Sequence, residues 1–169
     1  MNKIDIEVSE VGPRDGLQSI ESIMSTQDKK NWIQAEAKAG VREIEVGSFV
    51  PAKLLPQMAD TAELVRYAKT IPNLTVAALV PNFIGAKNAI DAGVDKMCLP
   101  LSVSESHSKA NLRKDHNQVL EEIKKIRPNN LNNTWEQTVQ RELESHSSDS
   151  DAFLKKQDLF YMAEGKGKG

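Results

Sequence analysis

The 169-residue chain is 39% hydrophobic, enough to supply the core of one domain, and it balances 22 Lys and Arg against 24 Asp and Glu. That balance excludes the basic footprint of a protein whose main partner is nucleic acid or an anionic membrane, and it favours a small-molecule partner. No apolar run reaches the roughly 20 residues that span a bilayer. Cys98 is the single cysteine and Met1-Asn2-Lys3 precedes no apolar signal region, so the expected location is cytoplasmic.

In chain order, Ile4 to Val11 alternates as a strand and Gly12-Pro13-Arg14-Asp15-Gly16 punctuates it as a loop. Ser25 or Thr26 caps a predicted helix to Ala39, with Trp32, Ile33 and Ala37 at helical spacing and Gly40 at its C-terminal end. The pattern then recurs: strand Arg42 to Phe49, helix Met58 to Ile71, strand Leu74 to Val80, helix Phe83 to Ala92 ended by Gly93, strand Asp95 to Leu101, and a helix from about Asn117 to Ile126. Four successive βα units predict an α/β fold with a parallel sheet and right-handed crossovers.

After Arg127-Pro128 the composition turns polar, with Asn129, Asn130, Asn132 and Asn133 crowded together and Ser, Asp and Glu dominating from Glu142 to Ala152. The expectation is a domain over 1–126 followed by a polar segment over 127–169. Its first part, to residue 157, is read as loosely ordered because so little apolar surface cannot offset the entropy of ordering it. A short apolar run, Leu159-Phe160-Tyr161-Met162, precedes a Gly-Lys tail.

In β/α barrels the reactive groups stand at the C-terminal strand ends, which directs attention to Glu10 through Gln18. Arg14 and Asp15 stand there together: a carboxylate suits a hard divalent cation and a guanidinium stabilises a developing oxyanion. Taken alone, an Arg-Asp pair is also the commonplace of surface loops. Cys98, in mid-strand, reads as a small buried group. His116 and His146 have no partner at metal-ligand spacing, and Lys53, Lys109 and Asn111 are polar candidates near the site mouth.

The string Glu10-Val11-Gly12-Pro13-Arg14-Asp15-Gly16-Leu17-Gln18 resembles the strand-one signature of hydroxymethylglutaryl-CoA lyases, members of a metal-dependent lyase and aldolase-like barrel superfamily. The likeness continues through residues 44–50 (Ile-Glu-Val-Gly-Ser-Phe-Val), 51–60 (Pro-Ala-Lys-Leu-Leu-Pro-Gln-Met-Ala-Asp), 79–82 (Leu-Val-Pro-Asn) and 104–111 (Ser-Glu-Ser-His-Ser-Lys-Ala-Asn), covering roughly 4 to 126. It implies the N-terminal half of a (β/α)8 TIM barrel. It further implies that Asp15 is a ligand of Mg²⁺ or Mn²⁺, that Arg14 polarises the substrate carbonyl and stabilises the enolate, and that Glu45 orients Arg14. Ser48 would line the acyl pocket, and Gln18 and His107, the latter expected in the loop after strand four, would contact substrate. Residue by residue, Glu45 also reads as a buried strand acid with any nearby base, and His107 as a solvated loop histidine.

The implied reaction is cleavage of hydroxymethylglutaryl-CoA to acetyl-CoA and acetoacetate, the chemistry of leucine degradation and ketone-body formation. Several of the family's features are missing: there is no His-x-His pair, no later asparagine ligand and no glycine-rich cysteine loop. Residues 157–165 nonetheless resemble a stretch near the C-terminus of the same lyases, as if an internal stretch were lost or replaced. The chain alone is therefore expected to be incomplete and inactive. The alternatives are a non-catalytic half-barrel module that associates with itself as a homo-oligomer, and a related lyase or aldolase acting on another hydroxyacyl-CoA or oxo-acid.

Overall fold

The computed structural model describes residues 6–126 and the backbone of 159–164. The elements are β1 (Ser9–Glu10), α1 (Thr26–Ala39), β2 (Glu43–Ser48), α2 (Thr61–Ala68), β3 (Thr75–Leu79), α3 (Phe83–Ala92), β4 (Lys96–Leu101), α4 (Glu105–Leu112), α5 (His116–Ile126) and β5 (Leu159–Glu164). β1 pairs with β2, β2 with β3 and β3 with β4, all parallel, and the sheet order follows the chain. The described residues divide into two compact units, 6–98 with 162–164 and 99–126 with 159–161.

Local chemistry sets the boundaries in the first unit. Ser25 Oγ accepts the Asp28 N–H at the start of α1, and Gly40 ends that helix at φ 104°, a left-handed conformation that a Cβ would disfavour. Asn82 caps α3 by accepting from the Gly85 N–H at 2.9 Å. Ile33 of α1, Ile44 and Val46 of β2, Leu64 and Val65 of α2 and Val76 of β3 form the core. Each such side chain contributes roughly 1.5–3 kcal/mol when fully buried. Because neighbouring strand residues point to opposite faces, packing Ile44 and Val46 against the helices turns Glu43 and Glu45 to the other side of the sheet.

Two predicted elements are shorter than the sequence suggests. β1 is confined to Ser9–Glu10, while Ile6 and Val8 are 80% and 67% exposed. Among the described residues its ladder partners are Glu43 and Ile44, the first two residues of β2, so Ile6 to Val8 lie ahead of the stretch that β2 can pair with. α2 starts at Thr61 rather than Met58, since Pro56–Met58 forms a separate 3₁₀ turn. Predicted and observed bounds coincide for α3 and differ by one residue at each end for β2 and β3.

In the second unit, the stretch after β4 is helical. His107 lies in α4, which Ser104 opens by accepting the His107 N–H, and not in the expected loop. The helix was obscured by its weak apolar stripe, although a capping serine followed by Glu105 is a start signal. The apolar run at 159–162 belongs to a strand. The polar segment at 127–157 lies outside the described residues.

Candidate active site

The signature string folds as a tight turn of π type over Gly12–Gly16. The Val11 carbonyl accepts from both the Arg14 N–H (3.0 Å) and the Asp15 N–H (2.7 Å). At its start, the Gly12 N–H donates to Glu10 Oε1 at 2.6 Å. A Cβ on Gly12 would stand 2.7 Å from that oxygen and 2.8 Å from the Trp32 ring, so no larger residue fits without movement.

This turn delivers Arg14 to a buried carboxylate. Arg14 is 3% exposed; its Nε donates to Glu45 Oε1 at 2.9 Å and its Nη2 to Glu45 Oε2 at 3.0 Å, a planar two-bond fork. Nη1 donates to Asp15 Oδ1 at 2.8 Å, and Gln18 Nε2 reaches the same oxygen at 3.3 Å. Asp15 itself is 56% exposed. Burial pushes the Glu45 carboxyl above its ordinary range, with the hydrogen bonds and charge of Arg14 pulling it down and the charges of Asp15 and Glu43 pushing it further up.

A second ion pair lies on the same face of the sheet. Lys96 Nζ donates to Glu43 at 2.8 and 3.1 Å. Ala77 of β3 is in register with Glu45 on one side and Lys96 on the other, and its small side chain lets Lys96 reach diagonally across β3. Cys98 is buried nearby in β4. Desolvation pushes its thiol up to about 12, with the Glu45 charge adding to the effect.

Ser48, at the end of β2, has a different environment. Its backbone N–H donates to Thr61 Oγ1 at 3.1 Å and its Oγ accepts the Val50 N–H at 3.3 Å. It lines a cavity of about 610 Å³ with Phe49, Met58, Arg66, Asn82 and Ile84, whereas Arg14, Asp15 and Glu45 are not part of that lining. The register of β2 against β3 shifts between Glu45 and Ser48. Gly47 lies within this irregularity, and a Cβ there would come within 2.4 Å of Thr61 Oγ1. The first residue of α2 thus takes over hydrogen bonding at the strand end.

The structure therefore joins Arg14, Asp15, Gln18 and Glu45 in one network and leaves Ser48 beside it on the same strand. In the second unit, His107 Nδ1 is hydrogen-bonded to Ser102 Oγ and Nε2 to Asn111 Nδ2. Sequence reasoning missed Glu10, Lys29 and the Glu43–Lys96 pair. Lys29 had a signal: it precedes Ile33 by four residues and so falls on the buried face of α1.

No group of three or more His, Cys, Asp or Glu side chains that could hold a metal ion occurs among the described residues. Asp15 Oδ1, moreover, already accepts from Arg14 and Gln18. The described residues alone do not fit a divalent-metal site, which needs several converging oxygens. No helix among them is long and apolar enough to cross a membrane.

Residues 5–158 match the HMGL-like family. The hydroxymethylglutaryl-CoA lyase YngG of Bacillus subtilis is 36% identical over 121 residues, 72% of this chain and 40% of that protein. A Pseudomonas aeruginosa 3-hydroxy-3-isohexenylglutaryl-CoA/hydroxymethylglutaryl-CoA lyase is 39% identical over 63% of this chain and 36% of its own length. Among solved structures, the Bacillus subtilis HMG-CoA lyase superposes with a TM-score of 0.68 at 36% identity, covering 72% of this chain and 41% of that one. An Acinetobacter baumannii HMG-CoA lyase bound to coenzyme A and 3-methylmalate gives 0.67 at 33% identity, covering 71% and 39%. β1 to β4 with their helices thus correspond to the N-terminal half of a TIM barrel, and the chain spans about two fifths of the length of these relatives.

Proposed function

Because this chain belongs to the HMGL-like family, we propose that its strand-end network serves carbon–carbon bond cleavage of a 3-hydroxyacyl-CoA, with hydroxymethylglutaryl-CoA as the substrate. The observation that carries the reading is the buried two-bond fork between Arg14 and Glu45 with Asp15 on the remaining Nη. A guanidinium stays charged at every working pH, and one locked by a carboxylate is pre-aimed, so it meets developing charge without reorganising.

In the proposed reaction the tertiary hydroxyl gives up its proton and its oxygen becomes the ketone of acetoacetate. The electron pair of the breaking carbon–carbon bond passes to the acetyl-CoA enolate, which is then protonated at carbon. Arg14 donates to the thioester oxygen, where charge grows as the bond breaks, and so stabilises the transition state more than the ground state. Glu45 positions it. Gln18, Ser48 and His107 are proposed substrate contacts. A divalent metal in this family's reaction would ease loss of the hydroxyl proton. Asp15 is the donor proposed for it here, and the described residues alone do not complete such a site.

Acyl-CoA as the ligand class is supported by the coenzyme A bound to the Acinetobacter baumannii relative. Cytoplasmic placement is proposed with the cytoplasmic relatives in view, others being mitochondrial. Leucine degradation and ketone-body formation are the settings such chemistry would serve. A second reading, a half-barrel that associates with itself, is favoured by Ile6 and Val8 standing exposed just before the two-residue edge strand β1. Gel filtration with light scattering decides it: a monomer at micromolar concentration removes that reading. The catalytic reading is tested by titrating hydroxymethylglutaryl-CoA against the chain and its Arg14→Met variant, in which binding should weaken about 10-fold or more on losing a charge-assisted bond. Equal affinity would contradict it.

A further inference from the structure

Lys29 of α1 is 1% exposed. An apolar side chain of similar length would occupy that space with no charge to desolvate, so what matters is what the ammonium binds. Nζ donates to the Gln57 carbonyl at 2.5 Å and to Asp60 Oδ1 at 2.6 Å. The other oxygen of Asp60 accepts from Thr26 Oγ1 at 2.8 Å. Both Gln57 and Asp60 lie in the segment joining β2 to α2, beyond Ser48.

The same segment is tied to the loop that follows the Arg14 turn. Gln57 Nε2 donates to the Ile20 carbonyl at 2.6 Å, two residues beyond Gln18. Its Oε1 is meanwhile buried without a hydrogen-bond partner among the described residues. The amide is thus turned toward Ile20 although its oxygen goes unmet. Thr61, next to Asp60, closes the path by bonding through Oγ1 to both the N–H and the carbonyl of Ser48 at 3.1 Å.

We infer that Lys29 is a positioning residue that couples the β1–α1 loop, carrying Arg14, Asp15 and Gln18, to the β2–α2 loop that follows Ser48, through the path Ile20, Gln57, Lys29, Asp60, Thr61. A lysine that merely anchored α1 would need one acceptor. This one grips two points of a single loop, and that loop grips the other. The functional meaning rests on the acyl-CoA reading: substrate contacts on two loops stay in register only if the loops move together.

The test is hydrogen exchange by mass spectrometry on the chain without ligand, comparing wild type with Lys29→Met, Lys29→Arg and Gln57→Ala. Lys29→Met should raise exchange about 10-fold at both 19–24 and 54–59 and leave the β2 and β3 amides protected, as expected for a local opening. Lys29→Arg should restore protection. A rise confined to α1, or one spread evenly over the chain, overturns the inference. Should Lys29→Met fail to fold, Gln57→Ala, which buries no unpaired charge, must still loosen both loops, and loosening of neither overturns it. Hydroxymethylglutaryl-CoA titrations give the functional arm, where Lys29→Met should weaken binding and Lys29→Arg recover it. Unchanged binding with loosened loops overturns the positioning role. If wild type does not bind at all, the acyl-CoA reading fails while the exchange pattern still decides the coupling.

Discussion

Arg14 and Glu45 are 31 positions apart in sequence and meet in a buried fork of 2.9 and 3.0 Å, joining the turn after β1 to the middle of β2. Removing Glu45 takes away the buried carboxylate of Arg14 and leaves its bond to the exposed Asp15, while removing Arg14 leaves Glu45 desolvated without the guanidinium. Glu45→Ala is expected to cost about 3–5 kcal/mol, whereas Arg14→Met combined with Glu45→Leu should recover most of that loss because no charge remains buried. Urea denaturation of the two single variants and the double variant measures this. A single substitution costing under about 1 kcal/mol would show that the pair is solvated in solution.

Gly47 abuts Thr61, with no room for a methyl group. Gly47→Ala should destabilise by about 1–3 kcal/mol, the usual cost of overpacking. Thr61→Ala removes the two nearest obstructing atoms, Oγ1 and Cγ2, and leaves Cβ, so the double variant should be more stable than the sum of the single changes predicts, by about 0.5 kcal/mol or more. Strict additivity in thermal melts would refute the contact.

The Cys98 thiol, pushed from 9.0 to about 12, binds its proton more tightly in the folded chain than in the unfolded one. A raised folded value means that its contribution is complete below pH 9 and is lost as the pH climbs toward 12, because only the unfolded state readily releases the proton. Stability should therefore fall over that interval, and Cys98→Ala should fall less steeply. Native Cys98 should also react slowly with a thiol reagent at pH 8 and quickly in denaturant, since reaction requires the thiolate. Fast native labelling would contradict its burial.

Much of this was legible in the sequence because the cues were local. Gly93 marks the end of α3 and Gly40 that of α1 by capping chemistry alone. The grouping of Arg14, Asp15 and Glu45 came from the resemblance of residues 10–18 and 44–50 to one family. What escaped depended on pairing between distant segments. Ile6 and Val8 look like strand residues, yet β2 begins too late to pair with them. Lys29 looks like one more solvated lysine until Gln57 and Asp60 fold over it. The Glu43–Lys96 bond joins residues 53 positions apart and depends on the register of β3 between β2 and β4.

A polypeptide of these 169 residues is expected to bind Mg²⁺ or Mn²⁺ weakly and to release no measurable acetoacetate from hydroxymethylglutaryl-CoA. Among the described residues Asp15 is the single recognised donor, and one carboxylate seldom holds such ions against their hydration. The assay is acetoacetate release with either ion beside an Asp15→Ala control. Turnover dependent on both metal and Asp15 would contradict the expectation.

In the proposed chemistry the Arg14 fork is aimed at the acyl part of a CoA thioester. The most direct measurement compares, by calorimetric titration, the affinities of hydroxymethylglutaryl-CoA and free coenzyme A for the wild-type chain and for Arg14→Met. The wild type is expected to prefer the thioester by about 10-fold, on the order of one charge-assisted hydrogen bond, and Arg14→Met to bind the two alike. A wild-type chain that binds both ligands equally, or a preference that survives loss of Arg14, would contradict it.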